Sequence, residues 1–276
     1  MPMQALDQVA SWPVPHAAAG VVVDGAVVGV VGDVDRPFRL ASVTKLVTTL
    51  AVLVAVEEGT LALDDPAGPE GSTVRHLLAH ASGLPFEGAA AIARPGTRRI
   101  YSNEGMDVLG GVLARAAGLP FETYAREAVL DPLGMAATGW PSSRWGPASA
   151  GGEAPLADVL RLAAELQRPT LVAPATFAAA TTVQFPGLTG MVPGFGRMDP
   201  CDWGLGFELR GTKWPHWTGH RNSPRTLGHF GGSGTFLWFD PDAGVACAAL
   251  ADRDFDEWAK AAWPALADDV IAATRG

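Results

Sequence analysis

LASVTKLVTTLAVLVAVEEG, residues 40–59, sets one basic side chain at the start of an otherwise apolar run. That side chain is Lys45, three residues after Ser42. The chain uses lysine sparingly: Lys45, Lys213 and Lys260 stand against 17 arginines (20 basic residues minus these three). A surface position would take arginine as readily, and a buried one would take leucine. The position of Lys45 therefore calls for a chemical explanation.

Ser42 and Lys45 fit a nucleophile and its base. A helix is predicted over 42–58, ended by Gly59, and residues three apart on a helix share a face. Ser42 would lie at the helix N-terminus, where the dipole favours developing negative charge. A desolvated lysine loses its proton more easily and can deprotonate the serine. The alternative is a capping serine beside a lysine that reaches to water.

A second motif, Tyr101-Ser102-Asn103, precedes the next long helical pattern. The chain has only two tyrosines and two asparagines, so chance gives this pairing about 0.015 times. A phenol near an ammonium has a lowered pKa and can relay a proton, and the amide can hold a substrate carbonyl. Alternatively, Tyr101 packs in the core and Asn103 caps the helix.

The third motif is His229-Phe230-Gly231-Gly232, which leads into a predicted strand. Glycines let the backbone approach a ligand closely, and their N–H groups can bind an oxyanion. The alternative is a flexible turn before a strand, because glycine is abundant in this chain, with 33 residues.

Composition limits the class of protein. With 276 residues, 48% of them hydrophobic, the chain can bury one large core or two smaller lobes. Its net charge of −9 argues against a nucleic-acid partner. No signal peptide or membrane-spanning run is visible, and the two cysteines, Cys201 and Cys247, suggest no disulfide framework. These features predict a soluble cytoplasmic protein that acts on a small molecule without a cofactor or metal.

Strand patterns lie at both ends of the chain, and helical patterns fill the middle. Two valine-rich runs in residues 17–32 flank Asp24-Gly25, which predicts a β-hairpin. Further strands are predicted over 203–210, 235–240 and 245–251. Helices are predicted over 73–81, 104–117, 121–129, 154–167, 174–181 and 255–273, and residues 185–202 are predicted to form a loop.

These patterns indicate an α+β protein that forms a single unit over residues 1–276. Because the terminal strands must meet in one antiparallel sheet, an α/β lobe is predicted from 1–40 and 200–276. The remainder, about 41–199, forms a mostly helical lobe.

The three motifs together resemble those of the serine β-lactamase and penicillin-binding-protein superfamily, in particular its class C β-lactamase-like branch. The likeness includes VRHLLAHASGL (74–84), DPLGM (131–135) and WGLGF (203–207), and so covers nearly the whole chain. That branch also contains D,D-peptidases, D-aminopeptidases and esterases. The resemblance implies a β-lactamase/transpeptidase-like fold, with an antiparallel sheet flanked by terminal helices.

For individual residues, the resemblance implies a serine hydrolase that works through an acyl-enzyme. Ser42 matches the acylated nucleophile. Lys45 and Tyr101 match the pair that removes its proton and later serves the leaving group and the attacking water. Asn103 matches the residue that orients the carbonyl side of the substrate, and the N–H groups of Ser42 and Gly232 match the oxyanion hole.

The substrate-binding stretch His229, Phe230 and Gly231 departs from the β-lactamase pattern. His229 stands where β-lactamases usually carry the lysine of Lys-Thr-Gly, and Phe230 replaces the threonine. A hydroxyl there could bind a substrate carboxylate, whereas a phenyl ring cannot. We therefore expect a neutral ester or amide substrate and carboxylesterase-like activity, with weak or no β-lactamase activity. The alternatives are a β-lactamase or a D-amino-acid-specific peptidase, such as a D,D-carboxypeptidase or D-aminopeptidase.

A basic loop leaves the substrate question open. Residues 209–239 contain no Asp or Glu but do contain basic side chains, namely Arg210, Lys213, His216, His220, Arg221 and Arg225. The loop could supply the carboxylate clamp that Phe230 lacks, since a guanidinium suits that geometry. Equally, it could be a solvated loop that offsets an acidic protein.

Other interpretations fit less well. His76 and His80 lie four apart on a helix, as metal ligands can, but no third ligand stands out. Residues 231–235 read GGSGT and differ at one position from the G-x-S-x-G nucleophile elbow. The α/β-hydrolase order also requires a histidine after the serine, and none follows. A non-catalytic binding protein on the same fold is a further alternative, against which the intact Ser42, Lys45 and Tyr101 argue.

Overall fold

A six-stranded antiparallel sheet brings the two ends of the chain together. A computed structural model describes residues 2–141 and 143–274, so the outermost residues of the predicted unit, 1 and 276, lie outside the described residues. The strands are β1 (Ala17–Val23), β2 (Ala26–Val31), β3 (Pro37–Arg39), β4 (Glu153–Pro155), β5 (Gly190–Val192), β6 (Gly196–Met198), β7 (Glu208–Leu209), β8 (Leu227–Gly231), β9 (Thr235–Asp240) and β10 (Val245–Ala251). The main sheet has the order β2-β1-β10-β9-β8-β7, and β3-β4 and β5-β6 form two separate antiparallel pairs.

Most of the described helices lie between β3 and β7. They are α1 (Pro2–Leu6), α2 (Thr44–Glu57), α3 (Val74–Leu78), α4 (Asn103–Ala117), α5 (Phe121–Ala125), α6 (Leu156–Gln167), α7 (Pro174–Ala180) and α8 (Glu257–Thr274). Short 3₁₀ turns cover Asp7–Ser11 and Ala41–Val43, and a π-helical turn covers Arg126–Leu130. The predicted mixture of helices and an antiparallel sheet is confirmed.

The β1–β2 hairpin forms where the sequence predicted it. Asp24 and Gly25 have φ angles of 54° and 77°, the left-handed values that a two-residue hairpin turn demands. On the other side of β1, Val21 pairs with Cys247 of β10. Strands from the two ends of the chain therefore lie side by side at the centre of the sheet.

Helices cover both faces of this sheet. Apolar residues of α8, among them Trp263 and Ile271, join one core cluster with Val21 and Trp238 of the sheet. On the opposite face, α6 packs against β1, β9 and β10. The α6 segment belongs to the predicted helical lobe, and its contacts tie it to the sheet as well.

Helix α2 runs through the middle of the second core cluster. Eleven of its 14 residues are buried, which explains why the segment carries almost no charge. It contacts α4, α5 and β8, and so joins the helices to the sheet. Burial on all sides fixes the position of its polar N-terminal end.

Three predicted elements differ from the structure. The helix predicted over 73–81 ends at Leu78, because His80 takes a left-handed φ of 51°. The strand predicted over 203–210 shrinks to β7, because Gly206 interrupts it with a φ of 76°. The loop predicted over 185–202 contains the β5–β6 pair.

The described helices of residues 2–141 and 143–274 include none that combines the length and the apolar character needed to cross a bilayer.

Candidate active site

Ser42 lies in a 3₁₀ turn that leads into α2, not in the first turn of the α-helix as predicted. The residue before it, Ala41, has a φ of 45°, a left-handed value that is costly for a residue with a side chain. Such strain persists only where the surroundings hold the backbone in place. Ser42 is half-buried, so its hydroxyl can meet a ligand.

Two side chains from the β8–β9 turn hold this strained segment. Thr235 Oγ1 donates a hydrogen bond to the Leu40 carbonyl at 2.8 Å, and Ser233 Oγ donates to the Arg39 carbonyl at 2.6 Å. Gly231 permits the close approach, because a Cβ there would lie 2.3 Å from the Leu40 oxygen. The third motif is thereby fastened to the turn that carries Ser42.

Lys45 points at Ser42, as the sequence predicted, and not at water. Its side chain is fully buried. Its Nζ lies 3.0 Å from Ser42 Oγ, 2.6 Å from Asn103 Oδ1 and 2.8 Å from the Ser149 carbonyl oxygen. Burial lowers the Lys45 pKa from 10.5 to about 7, although the Asp107 carboxylate opposes the shift. A substantial share of Lys45 is therefore a neutral amine near pH 7.

The partners of Lys45 also set the direction of its lone pair. A neutral amine has two hydrogens and one lone pair. Asn103 Oδ1 and the Ser149 carbonyl can only accept, so they take the two hydrogens. The lone pair then faces Ser42 Oγ and can receive its proton.

Asp107 positions one of these partners. Its carboxylate accepts from the Ser149 N–H at 3.0 Å and from Ser149 Oγ at 2.7 Å. Burial raises the pKa of Asp107, while the Ser149 hydrogen bonds and the charge of Lys45 oppose that rise. Asp107 therefore fixes the Ser149 carbonyl that binds Lys45.

Tyr101 contacts the same hydroxyl from the other side. Its Oη donates to Ser42 Oγ at 2.6 Å, and the Lys45 nitrogen lies 4.9 Å from the ring centroid. The prediction of a lowered phenol pKa was wrong. Burial raises the Tyr101 pKa above its usual value, and the hydrogen bond with Ser42 only partly offsets this. Tyr101 is thus a phenol that can donate a proton, and Lys45 is the group that can accept one.

The histidine of the third motif is neutral. His229 Nδ1 donates to the Phe230 carbonyl at 2.7 Å, which leaves Nε2 as an acceptor. Burial first, and then the charge of Lys45, lower the His229 pKa to about 3. The neighbouring Phe230 packs with Phe255 and Trp263 over the face of the sheet that α8 covers.

Two cavities meet at Ser42. The Asn103 cavity, about 380 Å³, is lined by Asn103 and by parts of the 141–153 segment. The Tyr101 cavity, about 390 Å³, is lined by Tyr101, Trp203, Glu208, His229, Phe230 and Phe255, with Pro193, Gly194, Asp256 and Lys260. Ser42, Phe86 and Gly232 line both cavities. A molecule in contact with Ser42 can therefore extend in two directions.

The basic loop does not form the carboxylate clamp that the sequence left open. Lys213 and His216 turn inward and are buried, and both contact Glu208 Oε1, at 2.7 and 3.1 Å. None of Arg210, Lys213, His216, His220, Arg221 and Arg225 lines either cavity at Ser42. Burial alone would raise the Glu208 pKa, but the charges of Lys213 and His216 outweigh it and hold that pKa well below its usual value.

His76 and His80 serve different neighbours. His76 Nδ1 lies 2.9 Å from Thr73 Oγ1. His80 is buried, with its ring centroid 4.8 Å from that of Tyr101, and its Nδ1 accepts from the Ser102 N–H. Within residues 2–141 and 143–274, no group of three or more potential ligand side chains could hold a metal ion.

Comparison with known proteins shows the family to which the chain belongs. The β-lactamase family model matches residues 11–271. The chain belongs to the β-lactamase family. It is accordingly an enzyme of the serine-hydrolase type that this family comprises, and its β-lactamase/transpeptidase-like fold is confirmed.

Several relatives of differing activity match the chain. A crystal structure described as a β-lactamase from Mycobacterium bovis is 52% identical, covers 98% of this chain and 99% of its own, and has a TM-score of 0.95. Esterase EstB from Burkholderia gladioli is 35% identical, with 40% of each chain covered. The carboxypeptidase/endopeptidase AmpH of Escherichia coli K12 is 31% identical, with 40% of this chain and 38% of AmpH covered. The match thus spans about 40% of the length of these two relatives.

Two residues of the site escaped the sequence analysis. Asp107 lies four residues after Asn103 on α4, so the helical period could have placed both on the face toward Lys45. Ser149 acts through its backbone carbonyl, and no pattern of side chains predicts such a contact.

Proposed function

We propose that the chain is a serine hydrolase that cleaves a neutral ester or amide through an acyl-enzyme on Ser42. The activity is carboxylesterase-like, with weak or no β-lactamase activity. The match to esterase EstB supports an ester as substrate.

The first half of the reaction follows from which groups hold a proton and which can accept one. Neutral Lys45 takes the Ser42 proton, and Ser42 Oγ attacks the substrate carbonyl carbon. The N–H groups of Ser42 and Gly232 stabilise the oxyanion. As the carbonyl re-forms and the leaving group departs, Tyr101 donates its proton to the leaving oxygen or nitrogen. The Lys45 ammonium then returns a proton to Tyr101 Oη.

The second half repeats these steps with water as the nucleophile. Water enters on the side that the leaving group has vacated. Its proton passes through the Tyr101 hydroxyl to neutral Lys45, and the Lys45 ammonium later returns a proton to Ser42 Oγ. Attack on the acyl carbon releases the acid and restores the Ser42 hydroxyl.

The Tyr101 cavity takes the leaving group in this proposal. A proton from Tyr101 reaches the leaving atom only if that atom lies on the side of Tyr101. The acyl group then extends into the Asn103 cavity.

We infer a neutral substrate from the charges in the wall of the Tyr101 cavity. Among the described lining residues, no cation is free to pair with a substrate anion. His229 is neutral, and the cation among the described lining residues, Lys260, already pairs with Glu257 at 2.5 Å. Phe230 offers a phenyl ring in place of a hydroxyl. A leaving group that ends in a carboxylate would be desolvated here without a charge partner.

A β-lactamase is the second candidate. The M. bovis protein described as a β-lactamase covers almost the whole chain at 52% identity, and that likeness favours this reaction. Both candidate reactions pass through an acyl-enzyme on Ser42. They differ in the leaving group that the Tyr101 cavity accepts.

Intact-protein mass spectrometry tests the proposal and separates the two candidates. The protein is exposed to a p-nitrophenyl acyl ester and, separately, to a penicillin. We expect an acyl adduct and ester turnover in the wild type, loss of both in Ser42→Ala, and little or no penicillin adduct. Ser11→Ala, at an exposed serine, is the matched control.

Rapid hydrolysis of penicillin would instead support the β-lactamase. Ester hydrolysis by Ser42→Ala at the wild-type rate would show that Ser42 is not the nucleophile. Saturable ligand binding without an adduct or turnover would indicate a binding protein.

A further inference from the structure

Two buried nitrogen atoms without partners lie in residues that line the Tyr101 cavity. His229 and Trp203 are each about 2% exposed. Neither His229 Nε2 nor Trp203 Nε1 has a hydrogen-bond partner among the described residues. A buried polar group of this kind costs stability unless something binds it, so the pair points to a ligand.

The two atoms have opposite hydrogen-bonding roles. His229 Nδ1 donates its hydrogen to the Phe230 carbonyl, so Nε2 offers a lone pair. The indole Nε1–H of Trp203 can only donate. The two rings lie 5.9 Å apart between centroids and are nearly perpendicular, at 72°. One small group that both donates and accepts can satisfy both atoms.

We infer that the leaving-group side of the enzyme binds a hydroxyl group carried beside the scissile bond. That hydroxyl donates to His229 Nε2 and accepts from Trp203 Nε1–H. The substrate class is therefore the ester of a polyhydric alcohol. The inference rests on the proposed function, because it assigns the Tyr101 cavity to the leaving group.

Other polar groups fit this wall less well. A carboxylate would accept from Trp203, but its lone pairs would oppose the lone pair of His229 Nε2. An ammonium would donate to His229 but leave the Trp203 N–H unpaired. The aromatic rings of Phe230 and Phe255 complete the wall and suit the carbon skeleton of the alcohol.

Four butyrate esters that differ only in the leaving phenol test the inference. The phenols carry a meta hydroxymethyl, methyl, carboxylate or aminomethyl group. Because all four share one acyl-enzyme, differences in kcat/KM report on the leaving group. We expect the hydroxymethyl ester to exceed the methyl ester by about fivefold or more and to exceed both charged esters.

Variants then locate the effect. Trp203→Phe removes the N–H and keeps an aromatic ring, and His229→Phe removes the acceptor. In each, the ratio of hydroxymethyl to methyl ester should fall toward one. Trp12→Phe, at a buried tryptophan outside both cavities, should keep the wild-type ratio.

Three results would overturn the inference. One is a ratio near one in the wild type, which is decisive even if a variant fails to fold. Another is a ratio that survives in both folded variants. The third is a preference for a charged ester, which would show that the site binds that charged group and not a hydroxyl. Failure to hydrolyse any ester would refute the proposed function and this inference with it, and so differs from the first result.

Discussion

Two lysines in this chain are equally buried and have different surroundings. Lys45 contacts three neutral oxygen atoms, those of Ser42, Asn103 and Ser149. Lys213 contacts the Glu208 carboxylate at 2.7 Å, and both side chains are almost completely shielded from water. The first lysine has its pKa lowered to about 7, whereas the second holds the pKa of its partner carboxylate down.

The difference shows that burial alone does not make a lysine a base. Burial penalises the charge, and a carboxylate in direct contact compensates for that penalty. Around Lys45 the compensating carboxylate, Asp107, binds Ser149 rather than the amine itself. The amine is therefore poised between its two protonation states. Lys213 instead contacts its carboxylate directly, and we expect its side chain to serve the structure.

Replacing Lys45 should reduce activity more than replacing Lys213 or Asp107. In Lys45→Met we expect kcat/KM for an ester to fall by about 10³–10⁴-fold, because the proposed base for Ser42 is lost. Stability should not fall at pH 7. Since the folded-state pKa of Lys45 is about 7 against an ordinary 10.5, the folded state binds fewer protons between these values, and stability rises with pH across that window.

The variant lacks this dependence, so its Tm at pH 7 should equal or exceed that of the wild type. Steady-state kinetics and thermal unfolding measured from pH 7 to 10 check both expectations. A loss of activity below tenfold would mean that Lys45 is not the base.

Replacing Lys213 should instead damage stability. Lys213→Met leaves the buried Glu208 carboxylate without its main charge partner, which costs about 3–5 kcal/mol of unfolding free energy. Urea unfolding measures this. The double variant Glu208→Gln/Lys213→Met, which buries no charge at this pair, should recover much of the loss. A change below about 1 kcal/mol in Lys213→Met would contradict the structural role.

Acid should weaken the wild type at this cluster. The Glu208 pKa is lowered in the folded state, so its contribution to stability is present above the ordinary value of 4.5 and is lost as pH falls toward the folded-state pKa. The double variant should lack that part of the acid sensitivity. Equal slopes of stability against pH below 4.5 in both proteins would argue against the pairing.

Asp107 gives the smallest and most selective test. Its charge raises the Lys45 pKa, so Asp107→Asn should move the midpoint of the pH profile of kcat/KM to lower pH. Asparagine can keep the hydrogen bonds to Ser149, and the plateau rate at high pH should change by less than about tenfold. A midpoint that moves to higher pH would show that Asp107 acts otherwise.

The sequence predicted the parts of the site that local patterns control. The Asp24-Gly25 turn, the Gly59 end of α2 and the shared face of Ser42 and Lys45 all follow from nearest neighbours along the chain. The rare Tyr101-Ser102-Asn103 motif brought two further residues into the prediction, and the family resemblance implied their roles.

What the sequence did not predict depends on contacts between distant segments. The Ser149 carbonyl reaches Lys45 across 104 residues, and the raised pKa of Tyr101 reflects its burial in the folded protein. Lys213 turns inward because it pairs with Glu208. That residue lies just before the segment 209–239, which contains no acidic residue. Composition suggested a basic loop, whereas Lys213 of that loop pairs with Glu208 of β7.

The pKa of Lys45 is the property on which its proposed role as a base depends, and three lysines in the chain make it measurable. Protein labelled with ¹³C-lysine should give few side-chain resonances, and the one that disappears in Lys45→Met identifies the residue. We expect this resonance to titrate with a midpoint near 7. A midpoint above about 9.5, close to the ordinary value of a free lysine, would contradict it.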